Sequence, residues 1–515
     1  MASRTETHLL NAIQDEARKL ILRYQRYAHD LHNEAMRIGR RAGRVPPKEV
    51  RRPGYWSLPA FDPFHVRAQA GGYAHALARS LERDTYKPWP AVSYDVPKSD
   101  GTMREVNVFS VADNAFSRLV YKGLLAKNCT RFSARCYAYR TDLTVHDAIT
   151  HIASEFRSTQ RLFIAEFDFS KFFDSISHDH ILRVLDSGQF LLTNRERRII
   201  ESFLRTPTLG VASWTNRSVL VRERGIPQGT SLSLFLANAA ASPLDRTLER
   251  MSVGFARYAD DTIIWSTDYS AVLGAVDALS EAARLMGVQI NLKKSGGISL
   301  VCPPTYRSPE LASSKASAVY LGYGISQSFV SISPNNVEGI KKRIAEIVFR
   351  NLLEFPSNGI LNAARVDPPI DRDYYVMILQ IRRYLYGDVS ELQLRRFFNR
   401  TSARIRFRGL MSFYPLVDHF DQLKALDGWM VHTIATTLKL RGDYFVKAGV
   451  QLPRPHGLSR GELLTFQGRS TKDTPLDLRI PSFVRMARLM QRVTKLRGAN
   501  AIANPKSFEY YWGLT

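Results

Sequence analysis

The stretch that most restricts this chain is RYADDTIIW, Arg257 to Trp265. Two adjacent aspartates sit between apolar residues. Neighbouring carboxylates repel, and beside an apolar core they are costly unless something neutralises them. The flanking residues read as two short strands, which predicts a β-hairpin with Asp260 and Asp261 at its tip. Upstream, FIAEFDFSKFFDSISHDH (163–180) reads as an apolar strand that delivers Asp168 and runs on to Phe172 and Phe173. Alone, an aspartate leaving a buried strand caps a turn, and four letters of YADD are a weak signal. Together, one carboxylate at a strand end and two on a hairpin tip can hold two divalent cations about 3.5–4 Å apart. Such a pair activates a hydroxyl and stabilises the leaving oxygen of an in-line phosphoryl displacement. An all-aspartate site suits hard cations, Mg²⁺ first with Mn²⁺ as a substitute.

A third segment, RGIPQGTSLSLFLANAAASPLD (224–245), has Gly225, Pro227 and Gly229 ahead of a helix-like run. An ordinary loop with a serine-capped helix accounts for it. The same loop would also let backbone approach a planar ligand closely, with Gln228 within reach of a nucleotide.

Charge points to a polyanionic partner. Lys and Arg number 72 against 48 Asp and Glu, a net +24, an excess that suits nucleic acid. Basic residues outnumber acidic by 15 to 9 in 1–85 and by 11 to 4 in 451–515. Three cysteines without a CxxC pair support neither a zinc ribbon nor a disulfide framework. The N-terminus lacks a secretory pattern and no run approaches 18 apolar residues, so a cytoplasmic protein without a membrane span is expected.

The pattern divides the chain. Residues 6–42 predict one long helix, with Leu9, Ile13, Leu20, Tyr24, Tyr27 and Leu31 on its apolar face. A Pro-rich break follows at 44–56. Residues 86–330 mix strands and helices, and from 333 onward the pattern is helical, with loops near 355–372 and 452–482. The expected domains are an N-terminal helical extension (1–85), a mixed catalytic region (86–330), a helical region (331–450) and a basic helical tail (451–515).

In this order and spacing, FDFSKFFDSISH, GIPQGTSLSLFLAN, RYADD, NLKKS (291–295) and YLGYG (320–324) resemble the palm motifs of reverse transcriptases. They are most similar to the bacterial branch that includes group II intron, retron and defence-associated, abortive-infection-type enzymes. VPKSDGTMREVNV (96–108) resembles that branch's fingers strand pair. CYAYRTDLTVHDAI (136–149) resembles its SYGFRP…HDAI segment, with Ala and Tyr where Gly and Phe are common. The resemblance implies an α+β right-hand polymerase fold: fingers and palm with an antiparallel sheet and the YADD hairpin, then an all-α thumb and C-terminal region. It implies an RNA-directed DNA polymerase using two Mg²⁺ ions.

Roles follow onto matching positions. Asp168, Asp260 and Asp261 would be the metal carboxylates. Lys98, Arg104 and Arg140 would grip the incoming dNTP's triphosphate, Gln228 would pack against the nucleotide, and Lys294 would protonate the departing pyrophosphate. Leu321 and Gly322 would form the primer-grip turn. Phe173, five residues after Asp168, stands where an aromatic steric gate is placed: a ring under the sugar clashes with a 2′-hydroxyl. Core packing is the competing reading of Phe173.

Outside the palm, RRFFNRTSARIRFRGL (395–410) spaces Arg396, Arg400, Arg404 and Arg408 four apart, which predicts one arginine-lined helix face. A second helix is predicted at 483–497, capped by Ser482 and ended by Gly498. There Phe483, Met486, Met490 and Val493 face inward and Arg485, Arg488 and Arg492 outward. Both are expected to meet nucleic acid, the second alternatively packing a subunit, and the chain could assemble as a homo-oligomer. The N-terminal helix and long helical C-terminal region are most similar to defence-associated enzymes. That implies anti-phage DNA synthesis with a dedicated, structured non-coding RNA as template. The alternatives are an intron maturase or retron-like enzyme, a template-independent or protein-primed polymerase, and, least favoured, a catalytically dead RNA-binding scaffold.

Overall fold

The computed structural model describes residues 4–97, 101, 103–210, 219–220, 222–291, 295–303, 314–366, 369–387, 389, 391–399, 408–469, 473–499 and 502. The chain opens on helix α1 (Arg4–Ala42), 39 residues and so ~58 Å long. Its first half buries Leu9, Ile13, Ala17 and Ile21 against α2 (Pro63–Ala68), α3 (Ala70–Glu82) and α4 (Val111–Asn128). The expected apolar face holds at Leu9 and Ile13 and then gives way. Tyr24 packs on Trp56 and Phe64, and Tyr27 is exposed. The far end of α1 belongs to another part of the molecule, described below.

Among the described residues the mixed region holds four sheets. Strands β1 (Ala91–Pro97) and β2 (Met103–Val108) form a hairpin, and with β5 (Thr208–Gly210) and β6 (Val219–Leu220) the order is β2-β1-β5-β6. Helix α5 (Val145–Arg157) precedes the central strand β3 (Leu162–Phe167). The central sheet is ordered β11-β10-β3-β8-β7, with β7 (Gly254–Tyr258), β8 (Asp261–Ser266), β10 (Ile298–Val301) and β11 (Ser314–Lys315). Between them come β4 (Phe169–Ser170), α6 (Phe172–Ser175), α7 (His178–Asp186), α8 (Asn194–Leu204), α9 (Leu232–Glu249), α10 (Tyr269–Met286) and β9 (Gln289–Ile290), which pairs with β4.

Side chains alternate across a strand, and here both faces are apolar. Phe163, Ala165 and Phe167 of β3, with Phe255 and Ile264, pack into a core shared with α9 and α10. Leu162, Ile164, Ile263 and Trp265 pack into a second core with α5. The strands that carry the candidate carboxylates are therefore clamped from both sides, with the carboxylates at their ends.

The second core continues through a meander, β12 (Ala318–Tyr320), β13 (Tyr323–Ile325) and β14 (Val330–Ile332), into the C-terminal helices. These are α11 (Pro334–Leu352), α12 (Arg372–Tyr386), α13 (Glu391–Phe398), α14 (Leu410–Phe413), α15 (Phe420–Lys447), α16 (Arg460–Thr465) and α17 (Phe483–Arg497). The expected loop at 452–482 contains α16 and a hairpin of β15 (Gln467–Arg469) and β16 (Pro475–Asp477). Among the described residues no helix is long and apolar enough to cross a membrane.

Two buried aspartates tie this region to α1. Asp371 caps α12, accepting the N–H groups of Asp373 and Tyr374. Its carboxylate also accepts from Arg441 Nε (2.8 Å) and lies 3.0 Å from His456 Nε2. Burial alone would raise the Asp371 carboxyl, but Arg441 outweighs it and holds it below the ordinary range. Asp373 accepts from Arg365 and Arg441 and pairs with Arg41 of α1 at 2.9 Å. Arg41 also donates to Asn351, and Arg37 donates to Glu354 and to the Arg350 carbonyl. A helix whose first turns lie on α3 and α4 thus ends in the charged core of the C-terminal helices.

The two arginine segments differ. Helix α17 is as expected: Ser482 accepts the Arg485 N–H, Phe483, Met486, Met490 and Val493 are buried, and Arg485, Arg488 and Arg492 are exposed. It joins the second core rather than hanging free as a tail. The single helix expected over 395–410 does not form. Helix α13 stops at Phe398, so it carries Arg396, whereas exposed Arg408 lies in non-helical backbone; Arg400 and Arg404 lie outside the described residues. One reason is a contact between distant segments. The backbone of Arg408–Gly409 crosses the end of α12 at Gly387, and a Cβ on either glycine would overlap the other segment's backbone, so a regular helix is not accommodated at Arg408–Gly409.

Candidate active site at the central strand ends

Strands β7 and β8 pair from Gly254↔Trp265 to Tyr258↔Asp261, leaving Ala259 and Asp260 as a two-residue turn. Such turns demand positive φ, and Ala259 has φ 60, a conformation costing a non-glycine residue about 1–2 kcal/mol. On the neighbouring strand, Phe167 pairs with Thr262. Asp168 is the next residue along, so continuing the antiparallel register sets it opposite Asp261. One sheet edge therefore carries all three carboxylates, with Asp168 and Asp260 half-buried and Asp261 exposed.

The turn is held from below by a residue the sequence reading passed over. Arg257 is fully buried and forms a fork to equally buried Asp245 of α9, with two bonds of 2.6 Å. Its remaining N–H groups reach the Ala259 carbonyl (3.0 Å), Asn238 Oδ1 (3.4 Å) and Cys136 Sγ (3.1 Å). Burial alone would weaken the guanidinium's hold on its proton, but Asp245 outweighs burial and raises its pKa. Burial pushes the Cys136 thiol up to about 11, so that neighbour is neutral. The bond to the Ala259 carbonyl fixes the strained residue directly before Asp260. Tyr320 braces the same turn, its hydroxyl 3.1 Å from both the Ala256 and Asp261 carbonyls.

Asp168 has its own clamp. Asn291 donates its N–H to the Asp168 carbonyl (2.8 Å) and its side-chain amide to the Asp168 carboxylate (3.1 Å). The NLKKS segment thus reaches Asp168 through Asn291, which sequence reasoning missed; Lys294 lies outside the described residues. The donor set is all oxygen, which fits hard divalent cations. Among the described residues no three His, Cys, Asp or Glu side chains are drawn together closely enough to hold an ion.

Phe172 and Phe173 part ways. Phe172 is buried and stacks on Phe169, while Phe173 is half-buried. The two glycines of GIPQG serve the chain's own backbone: a Cβ on Gly225 would overlap the Asp174 carbonyl, and one on Gly229 the Asn107 carbonyl. Gln228 accepts the Asn107 N–H (2.9 Å) and donates its side-chain amide to Asp174 (2.9 Å), so the loop fastens β2 to α6. Ser231 does not cap α9 through its side chain; Ser117 Oγ accepts the Leu232 N–H instead.

The expected triphosphate ligands are only partly placed. Arg104 lies on β2 opposite Val96, and Lys98 lies outside the described residues. Arg140 is turned inward. Its side chain is 5% exposed and donates to Asp142 (2.6 and 3.0 Å) and to the Ser133 carbonyl (2.7 Å). Leu321 and Gly322 form the tight turn expected of them, with φ 48 and 80 between paired Tyr320 and Tyr323.

Residues 96–325 match the family model for reverse transcriptase (RNA-dependent DNA polymerase). The chain carries a reverse transcriptase domain. That stretch holds the mixed α+β region described above, and the helical C-terminal region follows it. The retrovirus-related Pol polyprotein from type-1 retrotransposable element R2 of Popillia japonica is 26% identical over 246 residues, covering 42% of this chain and 34% of that protein. Protein YkfC of Escherichia coli (strain K12) is 25% identical over 179 residues, covering 33% and 44%. The putative COX1/OXI3 intron 1 protein of Saccharomyces cerevisiae is 24% identical over 177 residues, covering 34% and 20%. The chain thus spans less than half the length of each of these curated relatives. A telomerase structure from Candida albicans matches with TM-score 0.37 and 13% identity over 75% of this chain and 66% of that one, a score too low to bear on the reading.

The reverse transcriptase hairpin should depend on the Arg257–Asp245 fork. Arg257→Met strands a buried carboxylate and is expected to cost ~3–5 kcal/mol. Adding Asp245→Leu should recover most of that loss. Urea unfolding of the two variants checks both; a single substitution costing under about 1 kcal/mol would show that the fork is not structural.

Proposed function

We propose that this chain is an RNA-directed DNA polymerase that joins dNTPs to a primer hydroxyl by phosphoryl transfer. The observation that carries this reading is the placement of Asp168 beside the Asp260–Asp261 turn, with the half-exposed Phe173 ring five residues beyond Asp168. Asp168, Asp260 and Asp261 would hold two divalent cations, Mg²⁺ first. Bound there, these supply the charge that activates an attacking hydroxyl and stabilises a leaving oxygen.

The chain's own residues do the rest. Asn291 bonds the Asp168 carboxylate and Arg257 bonds the Ala259 carbonyl just before Asp260, and groups fixed in this way lower the reorganisation that the reaction demands. Phe173 would lie under the incoming sugar and exclude a 2′-hydroxyl. Arg104 and Lys98 would meet the triphosphate, and Lys294 would return a proton to the pyrophosphate. Arg140 would serve instead as an internal brace, since its donors are occupied. The Leu321–Gly322 turn, tied through Tyr320 to the catalytic hairpin, would seat the primer end.

A finer reading is that the enzyme works on a dedicated, structured RNA in anti-phage defence. Its support is the exposed arginine row on α17, with Arg396 and Arg408 beyond it, and the helical architecture flanking the palm. Arg488 and Arg492 lie over the Phe420 and Phe398 rings, at 5.5 and 5.2 Å from the centroids. The rings hold the guanidinium planes in place, and a fixed cationic row suits a phosphate backbone.

Three outcomes are expected. Asp260→Asn and Asp261→Asn should each fold normally, because removing one crowded charge relieves repulsion. Both should incorporate no detectable dNTP on a primed RNA with Mg²⁺; wild-type activity in either removes the polymerase reading. Phe173→Ala should lower the dNTP-to-rNTP ratio of kcat/KM roughly tenfold or more; an unchanged ratio makes Phe173 a core residue only. Finally, the purified protein should carry a discrete RNA. Changing Arg485, Arg488 and Arg492 to Gln should flatten the salt dependence of RNA affinity by roughly one slope unit per lost phosphate contact. Nucleic-acid-free preparations indifferent to these changes point to a polymerase without a dedicated RNA.

A further inference from the structure

Tyr139 occupies a backbone conformation it would not choose alone. Its φ is 58, left-handed and unfavourable for a side chain with a Cβ. Three bonds around it enforce that conformation. Tyr121 of α4 donates its hydroxyl to the Tyr139 carbonyl (2.6 Å), and Asn238 of α9 donates to the adjacent Ala138 carbonyl (2.7 Å). One residue earlier, the Tyr137 N–H donates to the Arg257 carbonyl (2.9 Å), splicing the segment onto β7. Structure enforced from three elements is expected where a side chain must be aimed.

The Tyr139 ring is aimed at two others. It meets Phe173 edge-on, with centroids 6.4 Å apart and planes at 73°. It also meets Tyr258, at 6.3 Å and 50°. Tyr258 lies two residues before Asp260 and pairs with Asp261 in the hairpin. Phe173 has one other ring neighbour among the described contacts, Phe172, edge-on at 5.8 Å. Phe172 is itself locked in the core against Phe169, whereas Tyr139 is half-buried. The gate ring is thus wedged between a core ring and Tyr139, and Tyr139 is the wedge that also touches the catalytic hairpin.

We infer that Tyr139 is a positioning residue for sugar selection: it sets the place of the Phe173 ring relative to the hairpin carboxylates. This rests on the polymerase reading of the same site. A steric gate discriminates only as well as its ring is held, because a ring free to swing aside admits the extra hydroxyl. Edge-to-face pairs are worth ~0.5–1.5 kcal/mol beyond area burial, enough to bias one ring position over another.

The test measures kcat/KM for a dNTP and its matching rNTP on a primed RNA with Mg²⁺, using the full chain. Tyr139→Ala should lower the dNTP-to-rNTP ratio by about tenfold, and Tyr139→Phe, which keeps the ring, should restore the wild-type ratio. In a Phe173→Ala background the Tyr139→Ala change should have no further effect on the ratio, since it acts through the ring already removed. If Tyr139→Ala does not fold, Tyr139→Leu carries the same comparison. A wild-type ratio in Tyr139→Ala overturns the inference while leaving the polymerase intact, as does an equal further loss in the Phe173→Ala background. Wild-type protein that incorporates neither nucleotide overturns the polymerase reading, and this inference with it.

Discussion

A guanidinium and a carboxylate with no access to water hold up the centre of this molecule. Taking Arg257 and Asp245 out of water is expensive, and the cost is offset only because every donor on Arg257 has an acceptor. Those acceptors come from α9, from the segment before α5 and from the hairpin turn itself. One side chain therefore fixes the relative position of three separate stretches of chain. A less demanding residue could fill the space, but it could not hold the Ala259 carbonyl, and with it the direction in which Asp260 leaves the turn.

The rest of the architecture extends the same constraint outward. The central sheet is covered on both faces, so its strands cannot slide, and the ends that carry Asp168, Asp260 and Asp261 inherit that rigidity. The hairpin of Leu321 and Gly322 is joined to the same turn through Tyr320. On the far side, α1 packs on the helices beside β1 and β2 and ends at Asp373 among the C-terminal helices. On the proposed reading a primer, a nucleotide and a carboxylate cluster must be held in one frame, and the segments proposed for these tasks are joined here by buried bonds.

The sequence made the site's location legible and its support invisible. Apolar alternation and adjacent aspartates marked β3, β7 and β8 and the turn between the last two, because a strand that ends in uncompensated charge has few explanations. The α17 faces were readable because a capped amphipathic helix repeats its pattern locally. What failed was long-range. Arg257 looked like a flanking charge because its partner Asp245 is twelve residues away on a helix whose orientation no local pattern gives. Asn291 was hidden for the same reason. Arg140 was expected at a triphosphate, yet Asp142 and the Ser133 carbonyl claim it. The expected helix across 395–410 ignored Gly387 and Gly409, whose backbones meet only in the folded chain. Regular spacing was a sound guide to faces, and a poor one to contacts between distant segments.

The central claim is that Asp168, Asp260 and Asp261 form a divalent-cation site. Electron paramagnetic resonance of Mn²⁺, titrated into the full chain with a primed RNA and a non-hydrolysable dNTP, reads this directly. The account expects wild-type protein to bind Mn²⁺ in that complex, and Asp168→Asn and Asp261→Asn each to lose that binding while still holding the primed RNA. Equal Mn²⁺ binding by wild type and both variants would contradict it.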